Sequence, residues 1–240
     1  MATLLASPQS SPKWEKETRR SEIRMPSRYR LRRVFWPLVR GMARGFIALG
    51  VPPNAVTVLG CVIAILAATV LTLWQCYLVY GLLVFITGLL DGVDGEVARA
   101  TGRASASGGF LDSMLDRLAD VVLLLPFLCL PNPLPCLGPA WMWVFAAITG
   151  CLLVSYMRSR ATAARVPDTD LGLGGRSERL FVLVVASLLY LLDYRIPYLG
   201  LVLFTLLAHA TVLYRIVAYE RQLRTPRAAK PKQARPKARR

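Results

Sequence analysis

Apolar and polar positions divide the chain into a polar start, a mixed basic and apolar stretch, and a series of apolar blocks. Each block is close to the roughly twenty residues that a helix needs to cross a hydrocarbon core of about 30 Å. Residues 1–24 are rich in Ser, Lys, Arg and Glu and are expected to form a disordered tail. They are not a signal peptide, because no short apolar core with a small-residue cleavage site follows their charges. From Met25 to Ile47, arginines such as Arg30, Arg33, Arg40 and Arg44 alternate with Val34, Phe35, Trp36, Val39 and Phe46. This predicts an amphipathic helix lying in the membrane interface, its arginines toward lipid phosphate, kinked or restarted at Pro37. Pro52 and Pro53 then set the start of a helix, with Asn54 as its cap.

Six spans follow from the apolar blocks: 55–74, 77–90 continuing as helix to about residue 99, 111–130, 140–156, 180–192 and 198–219. Residues 131–139, PNPLPCLGP, read as a loop on composition. The last stretch, 221–240, is a Pro/Lys/Arg tail expected to be disordered and to face lipid. The fold class is thus an all-α polytopic bundle of six transmembrane helices preceded by an interfacial helix. One membrane domain covers residues 25–220, between two tails.

Composition supports this class: 55% of the residues are hydrophobic and the mean hydropathy is +0.44, too apolar for an ordinary soluble domain. The net charge of +16 would point to nucleic acid in a soluble protein, but no aromatic-basic reading surface accompanies it. The basic residues gather in the tails and in alternate loops, which fits anionic lipid head groups. The loop with Arg99 and Arg103 and the loop from Arg158 to Arg179 are basic, whereas residues 75–76 and 131–139 carry no charge. The positive-inside rule then puts both termini, and the ends of spans two and three, in the cytoplasm of a cell membrane. The five cysteines, in or beside apolar segments, show no metal or redox spacing. His209, the only histidine, is read as a packing residue.

Residues 91–120, DGVDGEVARATGRASASGGFLDSMLDRLAD, hold six of the fourteen acidic residues. Charges beside a span are costly and usually functional. Asp91 and Asp94 are three apart, and Asp112, Asp116 and Asp120 follow at four-residue steps, so each set shares a helix face. Two such faces meeting would repel unless cations intervene, and all-oxygen ligation suits Mg²⁺ or Mn²⁺. The plain alternative is a salt-bridged helix end with Arg99, Arg103 and Arg117 as partners. Gly92, Gly95 and Ala98 leave a bare helix surface, and Arg99 adds a fixed cation suited to phosphate. Gly108 and Gly109 permit a tight return into the third span.

The run Asp91-x-x-Asp94-Gly95-x-x-Ala98-Arg99, eight residues, Gly108-x-x-x-Asp112-x-x-x-Asp116 resembles the signature of the CDP-alcohol phosphotransferases at all eight fixed positions. With the spans and the amphipathic helix, the resemblance covers about residues 26–220. It implies transfer of a substituted phosphate group from a CDP-activated donor, CDP-diacylglycerol foremost, to an alcohol, with release of CMP. It implies that Asp91, Asp94, Asp112 and Asp116 bind a pair of Mg²⁺ or Mn²⁺ ions, with Asp116 also the catalytic base. It further implies that Gly95 and Ala98 receive the nucleotide, that Arg99 holds its diphosphate, and that the protein is a homodimer. Asp120, outside the signature, reads as support.

The local form of the motif resembles branches whose acceptor is inositol phosphate or a similar polyol phosphate. Arg158, Arg160 and Arg179 could bind that phosphate, or could simply obey the positive-inside rule. Phosphatidylglycerophosphate synthesis from glycerol 3-phosphate is the alternative within the family, and a water-soluble CDP-inositol donor is a further one. A divalent-ion transporter is the alternative of another class. Its sites would be expected near the midplane within repeats, and the DxxDG segment is not repeated.

Overall fold

The structure is a computed structural model that describes residues 30–166, 169 and 174–224, with side chains described from Val34 onward. The expected tail at 1–24 and the tail beyond residue 224 lie outside the described residues. Those described contain seven α-helices and no strand: α1 (Arg30–Ala48), α2 (Pro53–Trp74), α3 (Tyr77–Ala100), α4 (Ala106–Leu124), α5 (Ala140–Ala163), α6 (Arg176–Leu188) and α7 (Ile196–Arg224). Short 3₁₀ turns follow α4 at Leu125–Leu128 and α6 at Leu189–Leu191.

Several boundaries differ from those expected, each for a local reason. α1 runs through Pro37 as one helix; Pro37 is on its exposed side, where solvent can serve the carbonyl that the ring leaves unpaired. Asn54 is not the cap of α2. Pro52 holds the extended cap position and Pro53 the first helical one, where a missing N–H costs nothing. The return between α3 and α4 is made by Gly102 in the left-handed region, at φ +66°, and not by Gly108 and Gly109, which are helical. Ser105 caps α4, its Oγ accepting from Gly108 N at 3.0 Å. α7 continues to Arg224, four residues into the stretch expected to be a disordered tail.

Helices α2, α3, α5 and α7 are long and apolar enough to cross a membrane. α4 is interrupted by Asp112, Asp116, Arg117 and Asp120, and α6 has only 13 residues, so length and composition do not place these two among the spans. Leucine, valine and isoleucine remain exposed on the outer faces, among them Val62, Ile65 and Leu66 of α2 and Leu203, Leu206 and Leu213 of α7. A surface of this kind suits lipid.

The chain reverses direction at each helix, bringing the start of α2, the end of α3 and the starts of α4 and α6 to one end. Tyr77 and Tyr190 stack at 4.5 Å at the other end, where Tyr198 also donates its O–H to Gly138 O at 2.9 Å. The core between them includes Leu71, Tyr80, Leu123, Leu183 and Phe204. Tyr80, fully buried, satisfies its O–H on Leu123 O at 2.8 Å. A second cluster, with Val39, Val56, Val93 and Val97, fastens α1 to α2 and α3. Small residues let helices approach closely: a Cβ on Gly200 would lie 2.3 Å from Ala186 Cβ. His209 rests against Gly150 with its Nδ1 3.0 Å from Thr205 O, as a packing residue does.

Candidate metal and nucleotide site

The acidic residues come from the end of α3 and the start of α4, and the spacing noted above turns each set to the other helix. Asp91, Asp112 and Asp116 each offer an oxygen, and these oxygens lie within 4.8 Å of one another. Asp94 adjoins Asp112 but is tied elsewhere: Thr57 Oγ1 of α2 donates to its Oδ2 at 2.8 Å, and Gly95 N donates to its Oδ1. Asp112 Oδ1 is buried and has no hydrogen-bond partner. An orphaned carboxylate oxygen in an all-oxygen donor set fits a hard divalent cation. The residues present therefore suit the ions that the sequence pattern suggests.

A cavity with charged and polar residues in its lining opens on one side of the aspartates, among Asn54, Thr57, Gly95, Ala98, Arg99 and Asp112. Gly108 shapes it, since a Cβ there would meet Asn54 Oδ1 at 3.1 Å. Arg99 lies across Gly95, its guanidinium 3.3 Å from where a Cβ of Gly95 would stand, and pairs with Glu96 at 2.9 Å. Arg40 of α1 approaches the same Glu96 at 3.9 Å. On the other side an apolar groove runs between α1, α3 and α6. Phe35, Val39, Phe85 and Phe181 line it, and it ends at Asp91 and Gly92. The aspartates thus stand between a space suited to a polar group and one suited to chains.

Residues 51–217 match the model of the CDP-alcohol phosphatidyltransferase family. The chain belongs to that family. Among relatives of this phosphatidyltransferase is the archaetidylinositol phosphate synthase of Pyrococcus horikoshii, 32% identical over 189 residues, or 78% of this chain and 93% of that protein. The bifunctional IPC transferase and DIPP synthase of Aquifex aeolicus is 37% identical over 147 residues, 57% of this chain but only 32% of that longer protein. Among solved structures, the Mycobacterium tuberculosis phosphatidylinositol phosphate synthase with CDP-DAG bound superposes with a TM-score of 0.65 at 22% identity. It covers 76% of this chain and 94% of that one and shows the fold. The protein is thus an enzyme of the CDP-alcohol phosphatidyltransferase class, and the ion-transporter reading falls away.

Two parts of the candidate site are not evident from the motif. Thr57 supplies a neutral donor to Asp94 from another helix. Arg176, which composition places merely in a basic loop, is the principal cation of the cluster. Its Nη1 lies 3.1 Å from Asp91 Oδ1 and 2.9 Å from Asp116 Oδ1, and its Nε donates to Asp120 Oδ1 at 2.9 Å. Of the arginines expected as partners, Arg117 comes only within 3.9 Å of Asp116, and Arg99 is turned to Glu96. Asp120 is buried beneath the cluster. Arg179 is 2% exposed; its Nη1 donates to Gly174 O at 3.1 Å and its Nη2 lies 3.9 Å from Asp120. Arg158 and Arg160 lie exposed near the end of α5.

Proposed function

We propose that the protein transfers a phosphatidyl or equivalent lipid phosphate group from a CDP-activated donor to a phosphorylated polyol, inositol phosphate foremost, and releases CMP. The observation that carries this reading is the aspartate cluster with its orphaned Asp112 Oδ1, standing between a cavity with charged and polar lining residues and an apolar groove. Asp91, Asp94, Asp112 and Asp116 would hold two Mg²⁺ or Mn²⁺ ions, which when bound neutralise charge on the diphosphate and its leaving oxygen. Asp116 accepts the proton of the attacking hydroxyl. The acceptor oxygen forms a bond to the phosphorus that carries the lipid alcohol, the bond to the CMP oxygen breaks, and CMP leaves with that electron pair.

Gly95 and Ala98 receive the cytidine nucleotide, and Arg99 swings from Glu96 to its diphosphate. The chains of a lipid donor occupy the groove lined by Phe35 and Phe181. Arg158 and Arg160 bind the acceptor's phosphate, while the buried Arg179 secures Gly174 and Asp120 beneath it. Inositol phosphate is favoured because it figures in the name of the relative from Pyrococcus horikoshii.

Six spans, with α4 and α6 crossing in company with their neighbours, would place both termini and the site at the cytoplasmic face of a cell membrane. The charge distribution supports this. A homodimer completes the proposal and is testable by cross-linking in membranes.

The deciding experiment offers purified protein labelled CDP-diacylglycerol or an ether-linked analogue, Mn²⁺, and inositol phosphate, free inositol or glycerol 3-phosphate. CMP is expected with inositol phosphate and is expected to vanish in EDTA. CMP with glycerol 3-phosphate alone would move the assignment to phosphatidylglycerophosphate synthesis, and no CMP with any acceptor would refute the lipid-donor reading.

A further inference from the structure

We propose that Arg176 is the resident cation of the aspartate cluster: it holds Asp91 and Asp116 together when no divalent ion is bound and yields them when one binds. The inference rests on the metal reading above. The three oxygens close enough to share an ion belong to Asp91, Asp112 and Asp116, and Arg176 Nη1 touches two of those residues, at 3.1 and 2.9 Å. Its two ends are held differently. Nε makes a directed hydrogen bond to Asp120, whose side chain is only 8% exposed, whereas Nη1 meets Asp91 and Asp116 by charge, without a directed bond.

The backbone that delivers Arg176 is fixed as well. Gly174 N donates to Thr211 Oγ1 at 3.0 Å, and Gly174 O accepts from the buried Arg179. The side chain can therefore pivot about Asp120 while α6 stays in place. A guanidinium and a divalent ion cannot both pair fully with the same carboxylates, because the two cations repel. By linkage, whatever Arg176 contributes to the metal-free cluster is subtracted from its affinity for metal. Arg176 is thus a positioning residue that keeps two aspartates of different helices assembled and ready.

The test is Mn²⁺ binding to detergent-purified protein, read from the free-ion EPR signal, beside thermal melting in EDTA and in saturating Mn²⁺. Arg176→Gln is expected to bind Mn²⁺ on the order of tenfold more tightly than wild type and to lose melting temperature chiefly in EDTA. Equal or weaker binding, or an equal loss of melting temperature in both conditions, overturns the proposal, since a merely structural arginine would give that result. Should Arg176→Gln fail to fold, Arg176→Met, which removes the charge but keeps an unbranched side chain in the buried position, decides: tighter binding supports the proposal and unchanged or weaker binding overturns it. Wild type that binds no Mn²⁺ refutes the metal reading itself, an outcome distinct from wild type and variant binding equally.

Discussion

Thr57 illustrates how an uncharged side chain enters a carboxylate site, because its O–H donates to Asp94 across 37 positions of chain. A partner that orients a metal ligand typically matters about tenfold or more in affinity. Thr57→Val is therefore expected to weaken Mn²⁺ binding about tenfold, with Thr57→Ser restoring it; wild-type affinity in the valine variant would remove Thr57 from the site. Asp112→Asn and Asp116→Asn are expected to abolish CMP release in protein that still folds, with melting in EDTA near wild type for Asp112→Asn and lower for Asp116→Asn, which gives up its pair with Arg176; turnover persisting in either would refute its assigned role. The aspartates were legible in the sequence because spacings of three and four put them on one face of a helix. Arg176 was not, since its contact with Asp120 joins residues 56 positions apart and only packing brings them together. Glu96 was hidden similarly: the motif leaves its position open, yet it holds Arg99 at 2.9 Å.

At the level of elements, apolar block length foretold where α2, α3, α5 and α7 run, and local chemistry decided their ends. Pro53 starts α2 and Gly102 turns the chain toward α4. The packing of one helix on another was not readable, because it depends on which small residues face each other. Gly200 against Ala186 is the tightest case, with a Cβ at Gly200 falling 2.3 Å from Ala186 Cβ. Gly200→Ala must push α6 from α7 and is expected to cost roughly 1–3 kcal/mol of stability, seen as a lower melting temperature in detergent. Adding Ala186→Gly should recover much of that loss, whereas simple additivity of the two would show that the contact is not what limits the approach.

For the whole molecule, the alternation of basic and uncharged connections gave the proposed sidedness, and native cysteines can test it. Cys129 and Cys136 are exposed at the end opposite the aspartates, while Cys61 and Cys151 are buried. With a cytoplasmic site, a membrane-impermeant maleimide should label intact cells at Cys129 and Cys136, and replacing these two together with the half-buried Cys76 at the same end by Ala should remove that label. Labelling of those two only after the membrane is opened would invert the topology. The two cavities flanking the aspartates carry a last consequence on the proposed chemistry. A donor that straddles the cluster is cut between them, so its halves part in different media: CMP diffuses upward into water and the new lipid slips sideways into the bilayer. With separate exits, neither product has to pass the other, and clearing the water-soluble half leaves the lipid no partner for the return reaction.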